Sequence, residues 1–340
     1  MILRKFLVLT VFLFLSAFAN LTAAEFDNGD IRLTINEKTG NFSLFYLSTP
    51  DTMRYEPLFY SKEQKSSFLE VSIDGVIHRL GKSRRFSTRL EDQDGQNGIP
   101  AVVYESPSLI VRKVFTPIRT ANSQAVNGLN ITVTVQNTGS QAVSTGLRFL
   151  IDTHLGETRK GIPFETNKQY VLTERLIEGT SGEMYWISRG PNFSLMGSII
   201  NPYDRNSKVP DFVHMASWKR LYKAKWNLIY KEGRSFNYFP YFFSDSAVCY
   251  YYEPAMLEAG ESFTYTVILS TEDIGWYTGV SSFDFSALRD GINYEDADLI
   301  MLYRLLEILN QFVSGEITLN EGDLAEIERT IQRLKAGAVE

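Results

Sequence analysis

The chain has little of what most enzymes and metal proteins are built from. Among 340 residues there is one cysteine, Cys249, and three scattered histidines, His78, His154 and His214. A single thiol excludes an internal disulfide, so the core must hold the fold. Scattered histidines and one cysteine do not make a zinc site, and no metal or cofactor is expected. Neither G-x-S-x-G nor H-E-x-x-H occurs, which removes two common hydrolase signatures. "GVIHRLGKS", Gly75–Ser83, has five residues between its glycines where a phosphate-binding loop needs four. "EDQDGQNG", Glu91–Gly98, is rich in oxygen ligands. A calcium loop, however, needs glycine where Asn97 stands and a bidentate glutamate where Val103 stands.

Positive charge is short as well, with 34 basic against 40 acidic residues and a net charge of −6. That balance disfavours nucleic acid as a partner. Long apolar runs are missing except at the start. "MILRKFLVLTVFLFLSAFANLTAAEF" carries Arg4 and Lys5, an apolar run from Phe6 to about Phe18, and then small residues. This reads as a signal peptide over 1–24, cut after "TAA", Thr22–Ala24, with "AFA", Ala17–Ala19, as second choice. The run is too short to be a comfortable membrane span, and no later stretch replaces it. A periplasmic or secreted bacterial protein is expected, with a charge of −8 once Arg4 and Lys5 are removed.

Aromatic residues and two-residue periodicity are abundant. Phe, Tyr and Trp number 23, 18 and 4. From Phe26 to about Thr271 apolar residues alternate with polar ones, as in "DIRLTINEKTGNFSLFYL" with a turn at Lys38–Gly40. "FLEVSIDGVIHRLG" reads as a hairpin turning at Asp74-Gly75. "LNITVTVQNTGSQAVSTGLRFLIDT" reads as another, turning at Asn137–Gln141, and "SAVCYYYEPAMLEAGESFTYTVILS" as a fourth. Without βαβ alternation, these strands predict a mainly β fold, an antiparallel sandwich over 25–275.

After "DIGWYTG" the period changes. Leu299, Leu302, Leu306, Leu309 and Val313 form one helical stripe, with Met301, Leu305, Ile308 and Phe312 beside it. A second helix carries Leu324, Ile327, Ile331 and Leu334 before Gly337. A C-terminal αα-hairpin over 286–340 is predicted, with 295–335 docking on the sandwich, on a partner protein or on a second copy.

"NGDIRLTINEKTGNFSL", "ITVTVQNTGSQ" and "LEAGESFTYTVILS" together resemble the large β-supersandwich of galactose-mutarotase-like and related sugar-handling domains. The resemblance runs over roughly Phe26 to Thr271 and lies in strand and turn rhythm. It implies carbohydrate as the ligand class, in a superfamily of epimerases, parts of lyases and hydrolases, and non-catalytic periplasmic glycan proteins. It also implies a histidine and a carboxylate. His154 falls on a comparable strand, but "HLGE" follows instead of the usual aromatic, Asn and Leu company.

Two stretches carry candidate chemistry. In "STGLRFLIDTHLGE", Leu147, Phe149 and Ile151 share one face, and Arg148, Leu150, Asp152 and His154 the other. With Asn130, Thr132, Thr134 and Gln136 they are expected to line one polar groove. Asp152 would orient His154 as a general base, and Glu157 would reach in from beyond Gly156. The plain alternative is a surface Arg148–Asp152 ion pair. Asp245 and Glu253 stand as distant carboxylates without a motif. In "HMASWKRLYKAKWNLIYKEGRSFNYFPYFF", Trp218, Tyr222, Trp226 and Tyr230 recur every four residues among Lys219, Arg220, Lys223, Lys225, Lys231 and Arg234. They read as a sugar-stacking, anionic-glycan surface or as ordinary core with solvated lysines, and "PDFVHMASWKRLYK" as a helix capped by Asp211.

Three functions fit: a non-catalytic binder of a glycan or envelope component, which is preferred; an epimerase or lyase using Asp152, His154 and a distant acid; and an envelope assembly protein acting through its C-terminal helices.

Overall fold

The computed structural model describes residues 23–271 apart from 61–63, 94–98, 121–122, 158–160, 202–206 and 239–243, together with the isolated Glu328. The expected signal peptide, but for Ala23 and Ala24, and the C-terminal hairpin, but for Glu328, lie outside the described residues.

Three antiparallel sheets make up the described chain. One has four strands, Ala23–Asn28, Ile31–Asn36, Phe42–Thr49 and Arg54–Pro57, in sequence order. The largest has nine, ordered Tyr170–Val171, Ile162–Thr166, Tyr185–Arg189, Ser194–Ser198, Ser262–Thr271, Gly128–Asn137, Leu109–Ile118, Ile99–Glu105 and Ser87–Gln93. The third has six, ordered Arg175–Glu178, Phe212–Ser217, Ser246–Leu257, Val143–Asp152, Phe68–Ile73 and Val76–Arg79. The mainly β sandwich expected from the alternation is therefore present.

One apolar core joins all three sheets. Ile35 and Phe42 come from the four-stranded sheet, Phe115 and Val133 from the nine-stranded one, and Phe149 and Tyr250 from the six-stranded one. A charge sits inside this core. Lys113 is 1% exposed, reaches the Gly40 carbonyl at 2.7 Å, and lies near the rings of Phe42, Phe115 and Tyr104. Burial pushes its ammonium down to about 7.

The Asp74-Gly75 turn forms as expected, both residues having positive φ, 49° and 80°, the requirement of a two-residue I′ hairpin. The two later hairpins do not form. Gly128–Asn137 pairs with Leu109–Ile118 and Ser262–Thr271, whereas Val143–Asp152 pairs with Phe68–Ile73 and Ser246–Leu257. Both short connections, 137–143 and 257–262, cross from one sheet to the other. Alternation identifies a strand's faces but not its partner, and a few residues span the ~10 Å between packed sheets. Asn137 ties the crossings together: its backbone N–H donates to the Glu261 carbonyl, its own carbonyl accepts from the Gly260 N–H, and its side-chain amide donates to the carbonyls of Gln141 and Leu257.

The predicted groove is corrected by the same fact. Ile131, Val133, Leu147 and Phe149 meet in the core between the two sheets, so Asn130 and Thr132 stand on the outer face of one sheet and Arg148 and Asp152 on the outer face of the other. The Asp211-capped helix is corrected too. Phe212–Ser217 is a strand paired with Ser246–Tyr251, and the helix covers only Trp218–Ala224. Asp211 accepts the Glu253 N–H instead, at 2.7 Å.

Candidate functional site

The outer face of the six-stranded sheet is closed at one end and charged at the other. At the closed end, the Trp218–Ala224 helix seats Leu221 on Phe68, Leu150, Cys249 and Tyr251. Arg148 lies beneath it, 0% exposed, pairing with Glu70 at 2.8 Å and donating to the Leu221 carbonyl. Arg79 completes the set, 2.9 Å from the same carboxylate and stacked on Phe68 and Tyr222. Arg148 thus neither lines a groove nor pairs with Asp152. It is a buried cation matched by a buried anion.

The aromatic series divides among separate contacts. Trp218 and Tyr222 stack at 4.9 Å on the helix, with the Trp218 indole N–H bonded to the Ser66 carbonyl. Trp226 packs edge-on against Tyr251, and Tyr230 against His214. Trp218, Tyr222 and Trp226 are half-buried, which favours packing over a continuous sugar platform. The basic residues among them also have partners. Lys223 donates to the Tyr238 hydroxyl, and Arg220 and Arg234 converge on Glu174.

Glu174 is a charge hub that the sequence does not mark. Its side chain is fully buried and bonded to His214 Nε2 at 2.8 Å, Arg220 at 3.1 Å and Arg234 at 2.6 Å. Burial pushes its carboxyl up, but the bonds from His214 and Arg234 outweigh this and hold it at about 2. The hub pins the 229–237 segment to the sheet, since Arg234 also reaches the Ile229 carbonyl and Arg220 the Asn237 carbonyl.

At the other end of the same face, Asp152, Glu157 and Asp245 come together, each offering an oxygen within 4.8 Å of the others. The register explains why: Asp152 pairs with Ala247, so Asp245, two residues earlier and just before the neighbouring strand begins at Ser246, lies on the same side. Glu157 is brought back by a 3-10 turn over Leu155–Glu157. Asp152 is 2% and Asp245 9% exposed. Asp152 Oδ1 and Asp245 Oδ2 are buried without a hydrogen-bond partner. Burial first, then the Asp245 and Glu157 charges, push Asp152 well above the usual carboxylate range. Burial and the Glu157 charge lift Asp245 to about 7. Glu157 is also raised by burial, opposed by the His154 ring and the Ser246 N–H. Among the described residues, this trio is the group able to hold a metal ion.

The expected Asp152–His154 dyad does not form. The acid facing His154 is Glu157, its Oε2 lying 3.9 Å from Nδ1. His154 is half-exposed, and Tyr60, 58% exposed, stands edge-on to it with ring centres 6.0 Å apart. The Tyr60 backbone N–H donates to the Asp152 carbonyl, which ties the Tyr60 main chain to the strand end that carries Asp152. Asp245, named in the sequence without a motif, belongs to this site. Glu253 does not, being exposed further along its strand. The site can accept hydrogen bonds, hold a proton near neutrality, or hold a cation.

No family model and no curated protein matches the chain. Among solved structures it is similar to a galactose mutarotase-like protein from Lactobacillus casei ATCC 334, with 9% identity and a TM-score of 0.44 over 74% of this chain and 100% of that one. It is similar to a galactose mutarotase related enzyme from Lactobacillus acidophilus, with 9% identity and a TM-score of 0.41 over 74% and 97%. A polysaccharide lyase matches with 12% identity and a TM-score of 0.40 over 72% of this chain and 32% of its own. These likenesses are of fold at low identity, and the chemistry of this chain rests on its own residues.

Proposed function

We propose that the protein is a non-catalytic carbohydrate-binding protein acting outside the cytoplasm, with the glycan held at the acidic end of the six-stranded sheet. One observation carries the reading: the exposed Tyr60 ring stands edge-on to His154, and the Tyr60 backbone N–H is bonded to the carbonyl of Asp152, one of three clustered carboxylates. An aromatic face takes the C–H surface of a sugar, and carboxylates with unfilled lone pairs take its hydroxyl hydrogens. Three acids also oppose uronates and sulfates, so a neutral glycan fits better than the anionic one that was one of the two readings of the lysine-rich stretch. The expected signal peptide supports the location.

The test is a panel of neutral and anionic glycans offered to the mature chain, scoring both bound ligand and new sugar product. Binding of a neutral glycan, weakened about tenfold or more by Tyr60→Ala with no change in folding, is the expected result. If no glycan binds, or if Tyr60→Ala binds as the wild type does, the reading is wrong. A second reading, a carbohydrate-active enzyme, is favoured by Asp245 at about 7, where a carboxylic acid donates a proton at neutral pH. Product that disappears in the Asp152→Asn, His154→Ala double variant would select it.

A further inference from the structure

We propose that Asp152, Glu157 and Asp245 bind a hard divalent cation of calcium's size. Acidity alone does not carry this. Asp152 is 2% exposed, yet its Oδ1 meets no donor, and Asp245 Oδ2 beside it is buried in the same condition. The donors at hand are already engaged: the Ser66 hydroxyl on Asp152, the Ser246 N–H and the His154 ring on Glu157, and on Asp245 the Lys219 N–H, whose side-chain charge also acts there without filling Oδ2. Unfilled oxygens of buried carboxylates cost free energy, and those that face like charges cost more. One cation answers both penalties, because it supplies the missing partner and the opposite charge.

The donor set and its span select the cation. Carboxylate oxygens suit hard ions, while soft or borderline metals would call for thiolate or imidazole. Calcium–oxygen bonds of about 2.3–2.6 Å let ligands lie up to about 5 Å apart across the ion. The trio's oxygens, all within 4.8 Å, therefore need little rearrangement. Three carboxylates fill only part of a shell of about 6–8 oxygens. The open positions would take water or, on the Tyr60 side, hydroxyls of a ligand. This inference uses the same site as the glycan reading but stands without it, since the cation alone is the probe.

Terbium takes calcium sites and luminesces when a nearby indole is excited. Trp218, whose backbone N–H donates to the Asp245 carbonyl, is placed to sensitise it. The expected result is saturable luminescence displaced by calcium, and a thermal midpoint that rises with calcium chloride and falls with chelator. Asp152→Asn and Asp245→Asn should each weaken uptake about tenfold or more while keeping the wild-type circular dichroism. Two results would overturn the proposal: no luminescence and no midpoint shift at millimolar calcium, or equal uptake by both variants. Uptake of calcium with no glycan bound would leave this inference standing and the glycan reading refuted. Glycan binding unchanged by chelator, with no calcium uptake, would do the reverse.

Discussion

Glu174 and the Asp152–Glu157–Asp245 trio are both buried acid sites on the six-stranded sheet, and their carboxyls move in opposite directions. Glu174 receives two guanidiniums and an imidazole and is held at about 2. Asp245 faces other carboxylates and is lifted to about 7. Burial raises both, so burial is not what separates them. The neighbours do. Where the fold needs a buried acid for structure, it surrounds it with matched donors, as it also does for Glu70 between Arg79 and Arg148. The trio takes only single donors from Ser66, Ser246, Lys219 and the His154 ring and no matched guanidinium, which is why it reads as a place for something from outside.

The largest effect expected from this contrast is at the matched site. Glu174→Gln removes the anion and leaves two arginines converging on an amide, which should destabilise the protein by about 3–5 kcal/mol in a urea titration near neutral pH. Because the folded carboxyl is held below its ordinary 4.5, its contribution is present above pH 4.5 and is lost as pH falls toward about 2. The variant should lose that acid limb. A cost below about 1 kcal/mol would mean that the hub is ornamental and the contrast false.

Lys113 gives an intermediate case, a buried charge whose partners are a carbonyl, a phenol oxygen and ring faces. Its folded value of about 7 lies below the ordinary 10.5, so the unfolded chain holds the proton more tightly between those limits. Stability should therefore rise with pH from about 7 to 10.5. Lys113→Met should flatten that rise and stabilise the protein near pH 7 by on the order of 2 kcal/mol, the loss of the bond to Gly40 included. An unchanged slope would show that the ammonium is better compensated than its partners imply.

The strand faces were legible because period two is written into the chain: Leu147, Phe149 and Ile151 were placed in the core and lie there. The Asp74-Gly75 turn was legible for a local reason, its two positive φ angles. Pairing was not legible. The crossings at 137–143 and 257–262 look like hairpin turns, since nothing local distinguishes a turn back to the same sheet from a step to the facing one. That one ambiguity hid the site. Asp152 and Glu157 were named from one stretch, but Asp245 joins them only once Asp152 is known to pair with Ala247. It also misplaced Arg148, which polar alternation put in a groove and a seven-residue helix buries. Glu174 had no signal, because its partners come from Phe212–Ser217, the helix and the following loop.

The smallest effect is the sharpest, because its sign reverses. In chelator at pH 8, Asp152→Asn takes one acid out of the trio, with the repulsion it brings when ionised and the cost of burying it, and replaces an unpartnered oxygen with a group that includes a donor. A gain of about 1 kcal/mol is expected, the size of a repulsion partly screened by water. In saturating calcium the wild type should gain the free energy of cation binding and the variant should gain little of it, leaving Asp152→Asn the less stable chain. Glu174→Gln, the same acid-to-amide change at the matched site, should destabilise equally in both solutions. Parallel denaturant titrations with and without calcium would decide it. If Asp152→Asn costs the same in both, the trio is a structural acid cluster like Glu174, and the distinction between matched and unmatched carboxylates fails at the site where it was meant to point to function.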